Sequence, residues 1–168
     1  MSIAVASRAE EQQPSLPFPV RPPAAPAATA LLADARRGIA EARHAAQPAP
    51  RFIAAYLAAL RAGAAVLAAS GRPHRGRARP ASVWVLLEAA APELSEWTAY
   101  FAAHSAARAA AQAGNTRRVT AARADELLSQ SALFVELARD FVHGRPSGQP
   151  SRVRQCDAPP TLGKAPRR

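Results

Sequence analysis

Four histidines, three pairs of carboxylates and a run of arginines are the residues of this 168-residue chain whose types could do chemistry. His44, His74, His104 and His143 are scattered along the chain. His104 falls near an apolar helical stripe, where a hydrogen-bonded, partly buried imidazole is expected rather than a catalyst. His143 closes a helix, where it suits the negative end of the helix dipole. The carboxylates are Glu93 with Glu96, Asp125 with Glu126, and Glu136 with Asp140. Only the last pair is spaced for one helical face, and no histidine or second pair completes a metal site with it. They read as solvated faces and helix-cap partners. There is no Gly-rich phosphate loop, no CxxC and no HExxH, and Cys156 is the only cysteine, so neither metal nor cofactor is expected.

Charge is the stronger signal. The chain carries a formal +10. Arg72, Arg75, Arg77 and Arg79 place +4 in the segment 71–80, and the tail 145–168, which includes Arg152 and Arg154, adds a net +5. The remainder is nearly neutral. Such segments attract phosphate backbones and other polyanions. No aromatic residue is interleaved with them, so a stacking platform for single strands is missing. Their plainer role is to keep an alanine-rich domain in solution. The lone cysteine, the lack of a secretory leader pattern and the lack of an uncharged apolar run of about 18 residues point to a cytoplasmic protein with no membrane partner. The nearest such run, 52–69, has Arg61 at its centre.

These side chains must be positioned by helices. In 51–70 the larger apolar residues Ile53, Tyr56, Leu57, Leu60, Ala64 and Leu67 recur at helical spacing, opposite a face of alanine and two arginines. That stripe is expected to be the buried one. A preceding helix is expected from Thr29, as its cap, to Ala46, with Arg37 and Glu41 paired at i,i+4 and Pro48 and Pro50 ending it. A short helix after Ser82 buries Val83, Trp84, Leu86 and Leu87. A fourth runs from Pro92 to Ala113 with Leu94, Trp97, Phe101, His104, Ala107 and Ala111 inward. Thr120 caps a fifth, which ends at Gly144. The fold class is all-α: a five-helix up-and-down bundle over 28–144. A proline- and alanine-rich disordered arm occupies 1–27, and the basic tail 145–168 is disordered.

The segments RFIAAYLAALRAGAAVLA, SVWVLLEAAAPELSEWTAYFAA and ADELL resemble small stand-alone actinobacterial proteins of the HEPN superfamily, over about residues 29–144. The resemblance implies a helical bundle that is often a homodimer. Its members include RNA-cleaving toxins, RNA- or nucleotide-binding modules and inactive forms. Catalytic members carry Arg, then four to six residues, then His, with Arg on a phosphate and His assisting attack by a 2′-hydroxyl. Arg37 and His44 match with six residues between them, almost two helical turns apart. Arg51 matches with four, but the partner position holds Tyr56, where relatives carry His. A phenol of ordinary pKa, about 10, is a poor base at neutral pH.

The resulting expectation is a degenerate HEPN-like binding or regulatory module. It is a homodimer that engages RNA or another polyanion through the loop and tail, with the face around Arg51 and Tyr56 as the ancestral site. A metal-independent endoribonuclease using Arg37 and His44, and a pure protein-interaction module, are the alternatives.

Overall fold

The computed structural model describes residues 24–71 and 82–144, and these form five helices. They are α1 (Pro26–His44), α2 (Pro48–Ala69), α3 (Val83–Ala90), α4 (Ser95–Gln112) and α5 (Ala121–His143). A 3₁₀ turn, Pro92–Leu94, leads into α4. Among the described residues there is no strand.

Prolines open the first two helices. Pro26 and Pro48 each sit in a first turn, where the missing N–H leaves no hydrogen bond unmade. Thr29 is therefore inside α1 and caps nothing, and the bundle starts within the expected N-terminal arm. Pro48 and Pro50 likewise belong to the start of α2 and not to the end of α1. The caps of α3 and α5 are as the sequence indicates. Ser82 accepts from the Trp84 N–H at 3.2 Å and Thr120 from the Arg123 N–H at 3.3 Å. Gly144, at φ 66°, supplies the left-handed residue that closes α5.

Helix α2 is the hub and packs against all four other helices. Its length and hydropathy would suffice to cross a membrane, yet half of its most apolar stretch is buried inside the bundle. The buried arc is not the expected one. Phe52, Ala55, Tyr56, Ala58, Ala59, Ala62, Gly63, Ala65 and Val66 are enclosed. Ile53, Leu57, Leu60, Ala64 and Leu67 keep intermediate exposure. The reason is the number of neighbours. A helix surrounded on several sides needs small side chains where backbones approach closely, and only the alanine face supplies them. The α1–α2 seam shows the constraint. A Cβ on Gly38 would lie 3.1 Å from the Ala58 Cβ, and one on Gly63 would lie 3.3 Å from Val83, Trp84 and Leu87.

Besides Phe52, Tyr56 and Val66 of α2, the larger core residues come from the other helices. Trp84 stacks on Phe101 at a centroid distance of 5.0 Å, and Phe134 of α5 lies 5.2 Å from Phe101 and 5.6 Å from Trp97. These rings bury most of the area that the alanines cannot. Gly38→Val is expected to force α1 away from α2 and cost about 1–3 kcal/mol, read as a lower midpoint in urea denaturation. An unchanged midpoint would mean that the seam has slack.

Candidate functional site

The face bearing Arg51 and Tyr56 lies where the first half of α2 meets α3 and α4. Tyr56 is 2% exposed. The indole N–H of Trp84 donates to its hydroxyl at 2.7 Å, and the hydroxyl lies 2.6 Å from Ser105 Oγ. Either hydroxyl can supply the proton of this bond, and Ser105 Oγ also lies 3.4 Å from the Phe101 carbonyl. The contacts of Trp84, Tyr56 and Ser105 tie α3, α2 and α4 together and engage the phenol on two sides. The guanidinium of Arg108 closes the other side, 5.7 Å from the centre of the Tyr56 ring.

Arg51 is also engaged. Its Nε and Nη2 donate to the Ala45 carbonyl at 3.1 and 2.9 Å, and Nη1 pairs with the Asp125 carboxylate. It thus fastens the α1–α2 connection to the start of α5, with only 21% of its side chain exposed. The tertiary fold places Arg51 and Tyr56 on one helix as fasteners, with the donors of one and the hydroxyl of the other already bonded.

The other pairing stands on the surface of α1. Arg37 is 70% exposed and pairs with Asp34, not with Glu41. Asp34 lies one turn before it, on the side toward which helical side chains lean. His44 is exposed at the C-terminal end of the same helix. Seven residues of helix separate the two by about 10 Å along the axis. Arg72, Arg75, Arg77, Arg79, Arg152 and Arg154 lie outside the described residues, as does His74.

His104 is a partly buried imidazole whose Nδ1 lies 2.8 Å from the Tyr100 carbonyl, as its position on the stripe indicates. Glu136 and Asp140 both engage Arg139, and Glu136 also reaches Arg36 at 3.4 Å. These carboxylates hold the Arg139 guanidinium further toward its charged form. Among the described residues no group of three or more His, Cys, Asp or Glu side chains could hold a metal. A cavity of about 340 Å³ opens between α1 and α5, lined by Arg36, Ile39, Arg43, Ala132, Val135 and Glu136.

Sequence reading missed Ser105 and Arg108 as partners of Tyr56. Their only signal was spacing: 101, 105 and 108 share one face of α4.

A model of the SAV_6107-like HEPN family matches residues 42–139. The match takes in His44, Arg51 and Tyr56 and leaves Arg37 outside. No curated protein matches the chain, and no solved structure does.

Tyr56→Phe keeps the ring but leaves the buried Trp84 N–H without its acceptor. The expected loss is about 1–3 kcal/mol, measured by urea denaturation with tryptophan fluorescence. Wild-type stability in this variant would show that the hydroxyl chain is dispensable.

Proposed function

The chain belongs to the SAV_6107-like HEPN family, and we propose that it is a member that binds rather than cuts. One observation carries this reading: the hydroxyl of Tyr56, at the position where the resemblance puts a histidine, is enclosed and bonded on both sides. A general base must reach the proton it removes, and this group faces the core. Its companion Arg51 gives one N–H from each of its three nitrogens to Ala45 and Asp125. The ancestral face has become part of the scaffold.

Binding falls to the basic loop around Arg72, Arg75, Arg77 and Arg79 and to the tail with Arg152 and Arg154. The partner is RNA or another polyanion, attracted mainly by charge. The bundle works as a homodimer through the outer face of α2. Ile53, Leu57, Leu60, Ala64 and Leu67 form an apolar stripe there that is only partly covered by the chain's own helices. A hydrophobic ridge of that kind fits a second copy better than water.

Affinity for a single-stranded RNA pool should fall with salt. Replacing the four loop arginines by serine should weaken binding and flatten the salt slope by up to about 0.7 for each phosphate that is no longer neutralised. The wild-type chain should leave the RNA intact. Cleavage that disappears in an Arg37→Ala, His44→Ala double variant would overturn the reading in favour of a ribonuclease. For the dimer, Leu57→Glu should convert the species seen by sedimentation from two chains to one; a wild-type chain that is already monomeric would rule the interface out.

A further inference from the structure

Arg108 is a partly buried cation that forms no ion pair among the described residues. Its Nε is buried without a hydrogen-bond partner, and among the described residues no carboxylate or carbonyl accepts from its terminal nitrogens. Those terminal nitrogens are not enclosed with Nε and reach solvent. The guanidinium lies over the Tyr56 ring with Cζ 5.7 Å from its centre. A contact with a ring face uses none of the N–H donors.

The stretch of chain around Arg108 is basic, and the first carboxylate beyond it, Asp125, pairs with Arg51. Residues 97–124 contain no aspartate or glutamate, but they contain His104, Arg108, Arg117, Arg118 and Arg123. His104 stands one turn before Arg108 on the same face of α4, and side chains at that spacing are neighbours. The Arg108 side chain leans toward that turn because helical side chains tilt to the N-terminus. His104 is itself oriented. Its Nδ1 is held by the Tyr100 carbonyl and its ring lies 4.5 Å from Tyr100 and 6.0 Å from Phe52. Nε2 is left without a protein partner and open to solvent. A partly buried guanidinium with no counter-charge is costly, and a bound anion would offset that cost.

We propose that Arg108 and His104 form a phosphate-binding site in the seam between α2 and α4. Arg108 supplies the in-plane fork and His104 a second contact through Nε2. The ligand class is a phosphate oxyanion, either free or at the end of a nucleotide chain. The site uses no residue of the segment 72–79.

The test is a titration of the full chain with inorganic phosphate, followed by amide and arginine side-chain NMR. Shifts centred on His104 and Arg108, retained when Arg72, Arg75, Arg77 and Arg79 are changed to serine, are the expected result. Arg108→Gln should weaken phosphate binding about tenfold or more. Shifts confined to the loop and tail, or no shifts, would overturn the site in the wild-type chain alone, whether or not the variant folds. A folded Arg108→Gln with unchanged affinity would overturn it too. A 5′-phosphorylated oligonucleotide compared with its 5′-hydroxyl twin then assigns the source. A preference lost in Arg108→Gln indicates a terminal phosphate, and equal binding indicates the free anion. Loss of RNA binding in the loop variant with phosphate binding retained separates this site from the loop-and-tail reading.

Discussion

The hydroxyl of Tyr56 is the point at which three helices are joined by polar contacts inside an otherwise apolar core. Removing it strands the Trp84 N–H, and Trp84 in turn stacks on Phe101 and lies against Phe134. The aromatic cluster that fills the bundle is thus registered against α2 through one hydrogen-bond chain. Buried polar links of this kind are costly when half satisfied and specifying when complete. Here the Trp84 N–H has its acceptor and the Tyr56 hydroxyl is bonded to Ser105 as well.

On the proposed reading, that same group stands where a catalytic relative would hold an imidazole. Stability and catalysis ask opposite things of one residue: the first needs it enclosed, the second needs it reachable. The enclosure of Tyr56 and the bonding of Arg51 belong together, since both convert a reactive edge of α2 into attachments to α1, α3, α4 and α5. Positive charge is then found elsewhere. By sequence it lies in the loop and tail, and by structure on α1, where Arg37 is exposed, and along the acid-free stretch of α4 and the α4–α5 connection.

Alanine content shapes the architecture as strongly as the aromatics. Alanines allow α1 to approach α2 until Gly38 and Ala58 touch, and they let the hub helix be surrounded. The consequence is that large aliphatic side chains of α2 are displaced to its outer side. The apolar stripe that looks most like a core in the sequence is the one the chain leaves partly uncovered.

The sequence by itself determined the class and the number of helices. Alanine propensity, apolar spacing and cap residues act within one or two turns, so Ser82, Thr120 and Gly144 could be placed from local rules alone. Leu94, Trp97 and Phe101 were legible as inward residues for the same reason, and so were Trp84 and Leu87, whereas Val83 and Leu86 of the same short helix are only partly buried. On α2 and around the prolines the local rules were insufficient. Pro48 can end one helix or begin the next, and a helix that is apolar nearly all round does not reveal which side its neighbours will occupy. Only tertiary packing chose the alanine face, enclosed Tyr56, turned Arg51 into a fastener and left Arg108 without a carboxylate. Those outcomes depend on contacts between residues about 50 to 75 positions apart, such as Tyr56 with Ser105 and Arg51 with Asp125. No periodicity within a single helix encodes them.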